Sequence, residues 1–123
     1  MKKPNIGIIG RGFVGQAVAF GFSEQTGYEA NLRIFDKDKS KSLNTIDEVV
    51  TQSDFIFISV PTPSNSDGSI NLQVLEGCLE DLYKTAKSNN AYQAIYLIRS
   101  TVVPGTTRKL QSKFNKLKIV FNP

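Results

Sequence analysis

Apolar residues along this 123-residue chain come in short runs and helical stripes that alternate from one end to the other. Residues 5–10 read as strand one. Val14, Ala17, Val18, Gly21 and Phe22 then recur at the spacing of one helix face, and Gly27 closes that helix. Residues 31–36 form strand two. Thr45, Ile46, Asp47 and Glu48 have the form of a capping box, opening a short helix with Val49 and Val50 turned inward. Residues 55–60 are a continuous apolar run, the pattern of a strand buried on both faces. A loop over residues 61–70 follows, after which Asn71 is placed to cap a helix with Leu72, Leu75, Leu79, Leu82 and Ala86 on its inner face. Residues 94–99 are strand four, Leu110, Phe114 and Leu117 mark a last short helix, and residues 118–121 begin strand five.

Strands alternating with helices predict an α/β, doubly wound parallel sheet of the Rossmann type, as one domain over residues 1–123. In such sheets ligands bind beyond the carboxyl ends of the strands, at the point where strand order reverses. That point is expected between strands one and four. The clusters that look chemical all fall at strand ends: residues 10–15, Asp36, residues 60–63 and residues 100–107.

The first cluster is the most specific. Gly10, Arg11, Gly12, Phe13, Val14 and Gly15 follow an apolar strand and open a helix, with Asp36 at the end of the second strand. This is a dinucleotide-binding fingerprint in its proper context. The first glycine makes a tight turn, the second lets backbone approach a pyrophosphate, and the third lets helix pack on strand. Helix-terminal N–H groups then face the phosphates. A carboxylate at Asp36 accepts from an adenine-ribose diol and repels a 2′-phosphate, which favours NAD over NADP. Arg33 and Lys37 are the cations expected to soften that preference.

Composition narrows the chemistry. Net charge is +4, from 15 basic and 11 acidic residues, with the excess in residues 37–41 and 108–118. No aromatic platform interleaves those charges, so they read as solvated faces and no nucleic-acid partner is expected. The chain has no histidine and one cysteine, which rules out a Ser-His-Asp triad, a histidine base, a cysteine-rich metal site and a disulfide framework. No metal site is expected, and the cysteine usage suits a reducing cytoplasm. The basic start is followed by an apolar run too short for a signal peptide or a membrane anchor. Cys78 lies between Leu75 and Leu79 on an apolar stripe and reads as a core thiol. Tyr83 and Lys87 share a helix face at the spacing of a catalytic pair, but an amphipathic helix explains them better.

Three motifs together carry a resemblance: residues 10–15; Val60, Pro61, Thr62 and Pro63 with Asp67 and Gly68 following; and Ser100, Thr101, Val102, Val103, Pro104, Gly105, Thr106 and Thr107. They resemble the amino-terminal, NAD-binding domain of the UDP-glucose/GDP-mannose dehydrogenases, typified by UDP-glucose 6-dehydrogenase, over nearly the whole chain. The resemblance implies NAD as cofactor and oxidation of a nucleotide sugar's primary alcohol to a uronic acid in two hydride transfers. It implies that Gly10, Gly12, Phe13, Val14, Gly15, Asp36, Val60, Pro61, Thr62, Ser100 and Thr101 form the cofactor site. Thr101, beside the reacting carbon, is the catalytic candidate, its hydroxyl orienting a water or the reacting oxygen.

The chain also departs from that pattern. Only eighteen residues separate Asp36 from Phe55, so an element that usually intervenes is expected to be reduced, and Asn71 stands where an aspartate is usual. The family continues past the position of Asn122 and Pro123 into a dimerising helix and a second lobe that carries the catalytic lysine, asparagine and cysteine. The expectation is an NAD-binding domain inactive alone, with a nucleotide-sugar substrate engaged only together with the second lobe. A second polypeptide or a homo-oligomer is the partner left open. The alternative is a free-standing NAD-binding regulatory or partner-binding module without turnover.

Overall fold

The structure is a computed structural model, and it describes residues 5–10, 31–36, 44–60, 64–69, 71–98 and 106–121. The elements are β1 (Asn5–Ile9), β2 (Asn31–Phe35), α1 (Ile46–Gln52), β3 (Phe55–Ile58), α2 (Gln73–Asn89), β4 (Ile95–Ile98), α3 (Thr106–Lys113) and β5 (Lys118–Phe121). All strand pairs are parallel, and the order across the sheet is β2-β1-β3-β4-β5. The chain steps one way from β1 to β2 and the other way thereafter, which makes the sheet doubly wound.

This order corrects one expectation. The reversal falls between β1 and β3, not between strands one and four, because β3 is the second neighbour of β1. The segment after Asp36 is short, eighteen residues before Phe55. It holds α1 as its one described element and delivers the chain straight across β1 to β3. The order 2-1-3-4-5 is one of the two common doubly wound arrangements, and its ligand edge is at β1 and β3.

The three crossovers that step in the same direction share a face, as right-handed connections require. On that face Val49 and Val50 of α1, Leu75, Cys78, Leu79, Leu82 and Ala86 of α2, and Leu110 of α3 meet Ile56, Ile58, Tyr96, Ile98 and Ile119 of the sheet. Phe114 and Leu117 join them, buried in the turn after α3 and not in the helix itself. Ile6, Ile8 and Ile34 form a second cluster on the opposite face. There β3 departs from its apolar sequence: Ile56 and Ile58 are fully buried, but Phe57 is half-buried and Phe55 is 38% exposed.

Local chemistry sets the helix ends. Thr45 and Glu48 form the expected capping box, Thr45 Oγ1 accepting from Glu48 N at 3.1 Å and Glu48 Oε1 accepting from Thr45 N at 3.0 Å. The bonds that Glu48 Oε1 accepts from Thr45 N and from Thr45 Oγ1 hold the Glu48 carboxyl below its usual range. At the other end of α1, Gln93 Nε2 donates to the carbonyls of Val50, Thr51 and Ser53, giving partners to groups that a helix terminus leaves unpaired. Asn71 Oδ1 accepts from Gln73 N at 2.9 Å, one residue ahead of the N-cap position at Leu72.

Gly7 is what lets α1 lie directly on β1. A Cβ there would stand 2.6 Å from Ser53 Oγ and 2.7 Å from Val49 Cγ1, whereas a Cβ on Gly77, inside α2, would meet nothing within 4 Å. The same substitution should therefore have opposite signs at the two sites. Gly7→Ala should cost about 1–3 kcal/mol through overpacking, and Gly77→Ala should add about 0.5–1 kcal/mol through helix propensity. Urea unfolding of both variants checks this, and equal signs would contradict the packing described.

Candidate functional site

Every parallel strand delivers its carboxyl end to the same sheet edge, and the described site residues gather there. Gly10 follows β1 with φ +85°, a conformation that favours glycine. Its N–H donates to the carbonyl of Phe35 at 2.9 Å, which sets Gly10 beside the end of β2 and brings Asp36 next to it. On its other side, Ser59 N donates to Ile9 O at 2.9 Å. A Cβ on Gly10 would lie 2.2 Å from the Ser59 carbonyl oxygen and 3.3 Å from Val60 Cγ1. Gly10, Asp36 and Val60 thus converge at the reversal of strand order. Arg11, Gly12, Phe13, Val14, Gly15, Pro61, Thr62, Ser100 and Thr101 lie outside the described residues.

This arrangement suits a dinucleotide. A backbone turn without a side chain, at the end of one strand, sits beside a carboxylate at the end of the next. In doubly wound sheets a tight turn of this kind opens the phosphate-binding loop, and a carboxylate at the end of the second strand can accept from a ribose diol. Arg33 does not belong to this edge. Its Nε donates to Gln52 Oε1 at 2.8 Å and its Nη1 to Asn5 Oδ1 at 3.1 Å, and Asn5 begins β1 at the opposite edge. The expectation that Arg33 softens the repulsion of a 2′-phosphate therefore fails, because its guanidinium is held at the amino end of the sheet. Lys37 lies outside the described residues.

After β3, residues 64–69 fold on themselves. Asp67 Oδ1 accepts from Ser69 N at 2.9 Å and from Ser69 Oγ at 2.6 Å, and these bonds hold its carboxyl below the usual range. Gly68 turns the chain with φ +89°, so the Asp67 and Gly68 of the resemblance have a structural role here. A polar cleft of about 330 Å³ opens beside this loop, lined by Asn65, Asn71, Leu72, Gln73, Glu76 and Lys109.

Cys78 is a core residue, 7% exposed. It shares the core with Tyr96, whose hydroxyl is buried without a hydrogen-bond partner among the described residues. Burial, with the Cys78 thiol adding to it, pushes the titration of that hydroxyl upward. Tyr83 is half-buried with its ring 6.0 Å from that of Phe114, and Lys87 is exposed. Their spacing serves packing. Among the described residues no cluster of three or more acids or cysteines could hold a metal ion, and no helix is long and apolar enough to cross a membrane. Sequence reasoning missed Ser59, whose carbonyl carries no side-chain signal, and Asn44, which binds the peptide groups of Ile34 on β2.

The fold and this edge together define a dinucleotide-binding domain of the dehydrogenase type. The model of the UDP-glucose/GDP-mannose dehydrogenase family, NAD binding domain, matches residues 28–123. Over 94% of the chain it is 29% identical to a UDP-glucose 6-dehydrogenase of Campylobacter jejuni, and over 83% it is 30% identical to the UDP-glucose 6-dehydrogenase AglM of Haloferax volcanii. A UDP-glucose dehydrogenase structure from Pyrobaculum islandicum superimposes on 98% of the chain with TM-score 0.74 at 20% identity, using 35% of its own length. The chain belongs to the UDP-glucose/GDP-mannose dehydrogenase family, as its NAD-binding domain. It spans 16% to 35% of the length of the curated relatives it matches.

The contact at Gly10 gives a direct test. Gly10→Ala forces a side chain against the Ser59 carbonyl and leaves it in a left-handed conformation, so it should lower stability by about 2 kcal/mol or more. NAD affinity should fall with it. Chemical unfolding and calorimetric titration measure the two, and a variant matching the parent in both would contradict this geometry.

Proposed function

We propose that the chain is the cofactor-holding part of a nucleotide-sugar dehydrogenase that oxidises a UDP-glucose-type sugar to its uronic acid, and that it is inactive alone. The observation that carries this reading is the pairing of the Gly10 turn with Asp36 at the reversal of strand order, in a chain of this family. Gly10, Gly12, Phe13, Val14 and Gly15 would hold the pyrophosphate, Asp36 the adenine ribose, and Val60, Pro61, Thr62, Ser100 and Thr101 the nicotinamide side. Bound NAD supplies the hydride acceptor. Thr101 is the proposed catalytic residue, its hydroxyl orienting the reacting oxygen or a water.

Two facts support inactivity of the isolated chain. Carrying an alcohol through an aldehyde to an acid calls for a nucleophile to hold the aldehyde and a base to take protons. The chain has no histidine, and its one cysteine is packed in the core beneath α2. The nucleophile and the second wall of the site would come from residues beyond this chain, in the same or another polypeptide.

Titration of the purified chain tests the reading. NAD should bind on the order of tenfold or more tightly than NADP, because the 2′-phosphate meets the Asp36 carboxylate. Gly12→Val should abolish binding while leaving the circular dichroism spectrum intact. No NADH should form with UDP-glucose or GDP-mannose. Equal binding of the two cofactors would remove the role given to Asp36, and steady NADH production lost on Thr101→Val would refute inactivity.

A further inference from the structure

β2 is the outer strand on the Asp36 side of the sheet. Within a strand the N–H and C=O of one residue point the same way, and neighbours alternate. The Phe35 carbonyl points inward, to Gly10, so the peptide groups of Ile34 point outward, where a further strand would bind them. Asn44 takes both. Its Oδ1 accepts from Ile34 N at 2.9 Å, and its own N–H donates to Ile34 O at 2.8 Å. One residue supplies what a neighbouring strand would. The Asn44 side chain also helps hold the carboxyl of Glu48, the acid of the capping box that starts α1, below its usual range. The first turn of α1 is thereby tied to β2 two residues before Asp36. The chain leaves the sheet at Asp36 and is returned to the same strand at Asn44.

We propose that Asn44 is a positioning residue for the adenosine end of the cofactor site. By closing the outward groups of Ile34 it fixes the end of β2, and with it the direction in which the Asp36 carboxylate is presented. The inference rests on the reading of Asp36 as the ribose carboxylate. Edge closure alone would make Asn44 matter for stability. A positioning role makes it matter for one half of the cofactor and not the other.

The test is calorimetric titration of the chain with NAD, ADP-ribose and nicotinamide mononucleotide. Asn44→Ala should weaken NAD and ADP-ribose alike, by about tenfold, the loss expected when a well-placed polar contact is misaligned. Nicotinamide mononucleotide should bind as before, and the preference for NAD over NADP should shrink. Asn44→Asp combined with Glu48→Gln keeps an acceptor for Ile34 N–H, exchanges donor and acceptor in the contact with residue 48, and leaves the net charge unchanged. That pair should restore ADP-ribose binding. If Asn44→Ala does not fold, Asn44→Ser takes its place in the same titrations. Parental ADP-ribose affinity in the variant, or equal loss of both half-cofactors, overturns the inference. Asp36→Ala separates it from the reading beneath it. Loss of ADP-ribose affinity there with none in the Asn44 variant overturns this inference alone, and no loss in Asp36→Ala overturns both.

Discussion

A side chain at residue 10 would have to occupy space already held by the carbonyl oxygen of Ser59, 2.2 Å from where its Cβ would stand, and the ligand edge is built around that exclusion. β1 and β3 run side by side to their ends, with Ser59 N bonded to Ile9 O. At that point the chain of β1 turns away with a positive φ. The turn leaves backbone without a side chain at the reversal of strand order. The N–H of Gly10 binds the end of β2, so this residue sits where three strand ends meet and brings Asp36 alongside.

The rest of the sheet is finished so that this edge stays fixed. At the amino end, Asn5 N and Nδ2 donate to Asp54, Asn5 Oδ1 accepts from Asn31 and Arg33, and Arg33 reaches on to Gln52. The outer strands end on side-chain amides. Asn44 binds Ile34 on β2, and at the start of β5 Gln111 donates to the O of Leu117, just before the strand, at 2.6 Å and accepts from Ile119 N at 3.0 Å. Unpaired edges invite pairing with other chains, and an amide side chain offers the donor and acceptor that close them.

Much of this was legible in the sequence because it is local. The five strands fall within a residue or two of their apolar runs, the capping box at Thr45 and Glu48 forms as read, and the stripe on α2 buries Cys78 as a core thiol. Strand order was not legible. Periodicity marks where strands lie but not which neighbour each crosses to, and the eighteen residues after Asp36 gave only a hint. The polar residues that finish the structure were equally hidden. Gln93 reaches carbonyls 40 to 43 residues away, and Arg33 meets Asn5 across 28. No pattern in a single sequence joins such pairs. The exposure of Phe55 has the same origin, since apolar sequence alone does not say what covers each face.

A fold shared at 20% identity with TM-score 0.74 says where the chemistry has to be sought. The core asks only for apolar side chains of suitable volume at alternating positions, and many sequences satisfy that. What cannot vary freely is set at the strand ends: a residue without a Cβ against the Ser59 carbonyl, and a carboxylate one strand away. In doubly wound sheets a bare turn and a carboxylate at these two places serve different parts of a dinucleotide, the phosphates and the ribose. Family membership therefore fixes NAD as the cofactor without fixing what is oxidised, because these two features concern the phosphates and the ribose of a dinucleotide alone.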